Sequence, residues 1–215
     1  MDNTTNLLTP QKFWEIYSKK INEAAQKDKS GFYEKYKNNS EWTKEIIGIA
    51  KQTIGQLLSG QAAKNESEVR IDTEYFRVDL VGYITQWPKE KRKKMPERQH
   101  IWSLKVAYEH ENYEDWSDEL CKLCYIAADL RIIHSYYNPK KKIEIRKLLQ
   151  GYVDKLKNKN ILNRIPNNNW LFIFGAMCEH SEAHQAFTLD SELNVISVES
   201  GEEVIPDKWK STTNK

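Results

Sequence analysis

The stretch Trp102-Ser-Leu-Lys-Val-Ala-Tyr-Glu-His-Glu-Asn112 constrains the fold more than any other part of the chain. Through Tyr108 its apolar residues recur at every second position, the period of an extended strand. Alternation puts Leu104, Val106 and Tyr108 on one face, and Ser103, Lys105, Ala107, Glu109 and Glu111 on the other. Two carboxylates then leave the end of a buried strand side by side, opposite the apolar face. Like charges so placed disfavour each other unless a cation lies between them, and a divalent metal held by oxygen is the simplest candidate. If the strand has already ended, both are ordinary loop acids. This stretch alone leaves the choice open.

Length and composition narrow the class. A chain of 215 residues can bury one sizeable core, and 39% hydrophobic residues against 30% charged ones suit a polar-surfaced α/β protein. Lys+Arg is 33 against Asp+Glu 31, a net of +2, so no global field selects nucleic acid or membrane and local clusters must decide. The polar start of the chain and the lack of a long apolar run predict a soluble, cytoplasmic protein with no membrane partner. Cys121, Cys124 and Cys178 show no disulfide spacing. Cys121 and Cys124 fall in a helical pattern whose apolar face carries Leu120, Leu123, Cys124, Ala127 and Ala128, the pattern of core cysteine rather than zinc. Cys178, His180 and His184 likewise match no standard zinc spacing.

Helix signals come first along the chain. Thr9-Pro10 reads as an N-cap with proline at the first helical position, opening a helix to about residue 27. Residues 29–31 read as a break, 32–38 as a short helical turn, 40–58 as a second long helix and 60–65 as a linker. Residues 68–85 are β-branched and aromatic, one strand or two short ones. Residues 88–98 form a basic loop bounded by prolines. Strands are expected at 100–108, 130–137 and 170–178, helices at 115–128 and 138–158, and a closing hairpin at 184–190 and 194–199. Two strand–helix–strand units in succession predict an α/β fold: a mixed central β-sheet flanked by helices, with N-terminal helices and a C-terminal hairpin. Residues 1–200 read as one domain and 201–215 as a polar tail.

Asp79 joins the opening pair. It sits among apolar neighbours in Arg77-Val-Asp79-Leu-Val-Gly-Tyr83. An antiparallel hairpin around the basic loop would bring it beside Glu109 and Glu111. Three carboxylates at one sheet edge suit Mg²⁺ or Mn²⁺, which could activate water and stabilise charge on a scissile phosphate. Lys105 shares the parity of the glutamates and lies two positions further in. His110, between them, points the opposite way and packs on the core face.

This order of elements (helix, strand with Asp, hairpin, strand ending in Glu-x-Glu, helix, strand) resembles the PD-(D/E)XK nuclease superfamily, with its restriction-endonuclease-like fold. The resemblance covers roughly residues 40–137. It implies a divalent-metal-dependent nuclease that hydrolyses DNA phosphodiester bonds, in a restriction or phage-defence setting. Asp79 would match the family's Asp and Glu109 its first acid. Glu111 stands where the family usually has a lysine, so turnover is in question, although some members also carry Glu there. The resemblance implies Asp79, Glu109, Glu111 and Lys105 as catalytic residues. Asp79, Glu109 and Glu111 would hold Mg²⁺ (or Mn²⁺), and Glu45 is the best-placed further acid from the helix before the sheet. DNA is the expected partner, and a homodimer the assembly that double-strand cleavage would need. The basic clusters at residues 89–94, 140–147 and 155–159 would then cradle a phosphate backbone. Two other expectations stand beside this one: a catalytically inactive nucleic-acid-binding module of the same fold, and a protein-binding inhibitor or immunity-type partner.

Overall fold

Proline at the head of the first helix opens a chain whose computed structural model describes residues 8–36, 38–64, 68–75, 77–85, 102–112, 116–137, 144–162, 169–176 and 184–199. The helix α1 spans Pro10–Lys27, and Thr9 Oγ1 accepts from Lys12 N at 3.1 Å, as the N-cap signal predicts. The expected break at Gly31 lies inside a second helix, α2, Lys29–Tyr36. Asp28 Oδ1 accepts from Gly31 N at 2.9 Å and so supplies the acceptor that lets this short helix start early. The next helix, α3, runs Asn39–Lys64 and absorbs most of the expected linker. Residues 61–64 are Gln-Ala-Ala-Lys, good helix formers, and Ala62 is buried.

A seven-stranded sheet follows, its strands ordered in space as in sequence. These are β1 (Glu68–Tyr75), β2 (Val78–Thr85), β3 (Trp102–His110), β4 (Leu130–Tyr137), β5 (Trp170–Ala176), β6 (Gln185–Leu189) and β7 (Val195–Ser197). Residues 68–85 thus make two strands, turning through Glu74 and Arg77, both at positive φ. The first three strands are antiparallel, β3–β4 and β4–β5 are parallel, and the last three are antiparallel. Helix α4 (Ser117–Cys124) carries the crossover from β3 to β4, and α5 (Ile145–Asn158) lies between β4 and β5 in sequence. Together these elements form the mixed α/β sheet that the hydrophobic pattern predicts.

Both faces of the sheet are covered. On one, α1–α3 contribute Phe13, Trp14, Tyr17, Phe32, Ile46 and Ile54 to a core with Leu80, Val106, Tyr108, Ile132 and Ile173. On the other, α4 and α5 contribute Leu120, Leu123, Leu149 and Val153 to a core with Val81, Ala107, Ile133, Phe172 and Phe174. Every residue of the central β4 is buried, as a strand covered on both sides requires.

Two local readings are corrected. Leu104 packs in the α4/α5 core rather than beside Val106 and Tyr108. The cause is a β-bulge: Gly82 pairs with Val106 but Tyr83 pairs with Leu104, so Lys105 is an extra residue and parity switches across it. Helix α4 also stops at Cys124, leaving Ala127 exposed; Cys124 is buried, whereas Cys121 lies on the exposed face of the helix. No helix of the described residues is long and apolar enough to cross a membrane. The basic loop at 88–98, Lys140–Lys142, Cys178, His180 and the tail at 201–215 lie outside the described residues.

Candidate functional site

Beyond the Leu80–Tyr108 pair, the register of β2 and β3 carries Asp79 towards Glu109. Asp79 Oδ2 accepts the backbone N–H of His110 at 2.7 Å, which sets its carboxyl near enough to that of Glu109 for each to act on the other's titration. Asp79 is half-buried and Glu109 is only 2% exposed. Burial raises both carboxyls above their ordinary values, that of Glu109 to about 8. The neighbouring Asp79 and Glu119 carboxylates push Glu109 the same way, while Lys122 opposes them.

Helix α4 contributes the cation. Lys122 Nζ lies 2.7 Å from Glu109 Oε1, pairs with Glu119 one turn back on the same helix, and donates to Arg77 O at 2.8 Å. Burial works to lower the ammonium's pKa, but the ion pairs with Glu109 and Glu119 carry it above the ordinary lysine value. Trp116, Leu120 and Leu123, buried in the α4/α5 core, fix the helix so that Lys122 reaches back over the end of β3.

The expected site residues divide into two groups. Asp79 and Glu109 are brought together. Glu111 lies one step past β3, half-buried, its backbone N–H donating to His134 O at 2.9 Å. Lys105 stands elsewhere: at the bulge it pairs with Asp129 Oδ2 at 2.7 Å, where β3 and β4 begin rather than where β3 ends. Glu45 also stands elsewhere, paired with Lys35 of α2 at 2.7 Å. Sequence reasoning passed over Lys122. The signal for it was Glu119 and Lys122, three apart on the helix directly after the acidic strand, flanked by the apolar Leu120 and Leu123.

The donor chemistry suits a hard divalent ion, since the cluster offers carboxylate oxygens. Glu109 Oε1 and Glu119 Oε2 are buried and meet the ammonium as ion pairs without completing a well-angled hydrogen bond. As the side chains stand, no group of three or more His, Cys, Asp or Glu among the described residues is set to hold a metal. The cation amid the carboxylates is Lys122.

Behind this cluster, on the α1–α3 side of the sheet, lies a buried polar network. Tyr17 OH of α1 meets His134 Nδ1 at 2.9 Å and Tyr108 OH at 3.2 Å, and Tyr108 OH is 3.1 Å from His134 Nδ1. His110 Nε2 meets Tyr136 OH at 3.0 Å, and Trp42 Nε1 donates to the same hydroxyl. His110, as its parity predicts, faces this core. The rings of His110 and His184 each lie 5.2 Å from that of His134. Burial drives all three imidazoles towards their neutral forms, His110 and His184 to about 4 and His134 well below its ordinary value. Thr43 of α3 and Asn112 exchange hydrogen bonds, Asn112 Nδ2 to Thr43 Oγ1 at 2.8 Å, and tie the segment after Glu111 to the helix layer.

No family model and no curated protein matches the chain.

Proposed function

We propose that the chain is a divalent-metal-dependent nuclease of restriction-endonuclease-like architecture, acting on DNA phosphodiester bonds. The observation that carries the reading is the placing of Asp79 and Glu109 on adjacent antiparallel strands at the end of a buried sheet, with a lysine over them. The order helix, three-stranded meander, helix, parallel strand supports the architecture. Asp79 and Glu109 would hold Mg²⁺ or Mn²⁺. When bound, such an ion supplies an activated water and neutralises charge on the phosphate. Asp79 is oriented by the His110 N–H, and Glu109 is kept from bulk water by its burial. The lysine that pairs with Glu109 is Lys122; Lys105 pairs with Asp129 at the other end of the strand.

The test is cleavage of plasmid DNA in Mg²⁺ or Mn²⁺ by the wild-type protein and by Asp79→Asn, with calorimetric titration of each metal. Metal-dependent cleavage lost in the variant, with the fold retained by circular dichroism, supports the reading. A wild-type protein that binds neither ion at millimolar concentration ends it.

A second reading, a nucleic-acid-binding module without turnover, is favoured by Glu111 at the position where the family usually carries lysine. Salt-dependent DNA binding without cleavage in any divalent metal would select it.

A further inference from the structure

The ammonium of Lys122 forms ion pairs with Glu109 Oε1 and Glu119 and donates a hydrogen bond to Arg77 O. Two of the three are carboxylates, and Glu109 is almost wholly removed from water. A surface lysine is usually solvated and mobile, with a pairing worth little. Here the ammonium is drawn inward against Glu109, one of the carboxylates that the reading above assigns to a divalent ion.

We infer that Lys122 is a built-in counter-ion that closes the carboxylate site to divalent cations and must swing out before one can enter. The inference rests on the metal-site reading above and adds the way in which that site is regulated. Two cations sharing Glu109 within a few ångströms would repel each other strongly in so dry a place, so they exclude each other there. The side chain has a way out: it is 29% exposed, whereas the helix that carries it is anchored through Trp116, Leu120 and Leu123. The stem can rotate to solvent while α4 stays in place. Glu119, half-buried on the same helix, can follow the ammonium outward or remain as a further oxygen donor. Removing the ammonium therefore leaves the carboxylates more receptive to a divalent ion, the opposite of what loss of a purely supporting residue would do.

The experiment is calorimetric titration of Mg²⁺ and Ca²⁺ into wild type, Lys122→Met and Asp79→Asn at pH 8.5. It is paired with ¹⁵N detection of lysine ammonium groups in the wild-type protein. The expected result is metal binding that is roughly tenfold tighter or more in Lys122→Met and abolished in Asp79→Asn. The Lys122 ammonium signal in wild type should shift in step with metal occupancy. Equal or weaker binding in a folded Lys122→Met, with Asp79-dependent binding in wild type, overturns the counter-ion role and leaves the metal site standing. If Lys122→Met fails to fold, the wild-type signal decides. A signal that moves with occupancy supports the inference, and one that stays fixed while metal binds overturns it. No binding to either protein overturns the inference together with the nuclease reading.

Discussion

The backbone N–H of His110 donates to Asp79 Oδ2 at 2.7 Å, tying the second strand to the last residue of the third. At this one point the two faces of β3 part company. Glu109, the residue before, turns to the α4 side and meets Lys122. The His110 ring turns to the α1–α3 side and meets Tyr136.

That hydrogen bond should be measurable. Asp79→Ala leaves a part-buried N–H without its acceptor and should cost about 1–3 kcal/mol. Asp79→Asn keeps an oxygen there and should cost less. Urea unfolding checks both, with the midpoint lowered and the slope unchanged.

Glu109 makes the fold sensitive to alkali. Its carboxyl titrates near 4.5 in an unfolded chain and is pushed up to about 8 by burial and by the neighbouring Asp79 and Glu119. A group with a raised folded value favours the native state below its unfolded value, and that contribution drains away as pH rises through the folded one. Wild-type stability should fall from about pH 4.5 to pH 8 on account of this residue and level off above that, at about 1.4 kcal/mol per unit of displacement. In Glu109→Gln that decline should be much shallower, as denaturation midpoints across the range would show.

The histidines set the acid limit with the opposite sign. An imidazole whose folded value is depressed stabilises the native state in full above about 6.5 and loses that contribution as pH falls towards 4. His110, His134 and His184 lie close enough to titrate as a coupled set, each protonation opposing the next. Between about pH 4.5 and 6.5 Glu109 works against it, so Glu109→Gln displays the acid loss more cleanly. The fluorescence of the buried Trp14 and Trp42, followed from pH 7 to pH 4, provides the measurement.

Lys105 and Lys122 separate by experiment. Lys105 pairs with Asp129 at a partly exposed site, with 23% and 42% of the two side chains accessible. Lys105→Met should change stability by no more than about 1 kcal/mol and leave metal affinity where it was. Denaturation and calorimetry on this variant provide the contrast with Lys122→Met.

Most helices were legible from their apolar period, and the central strands because burial on both sides of a sheet writes a near-continuous run of apolar and aromatic residues, as in residues 130–137 and 170–176. Asp79 and Glu109 were legible for a related reason: a polar residue inside an apolar strand demands an explanation. Parity failed at Leu104 because one bulged residue reverses every inference carried across it. Lys122 was missed because its partners lie 13 residues upstream on a strand (Glu109) and 45 residues upstream in a turn (Arg77 O), joined only once α4 packs back over the sheet. Glu45 looked equivalent to any acid on its helix until α2 supplied Lys35.

The bulge at residue 105 has a consequence for how this chain tolerates insertion and deletion. Leu104 and Val106 already face opposite sides and already pair with the neighbouring residues Tyr83 and Gly82. A chain lacking residue 105 would run β3 as an ordinary alternating strand, with both cores unchanged and Glu109 still on the α4 side. Lys105 is a supernumerary residue, gained or lost without moving the carboxylates at the strand's other end.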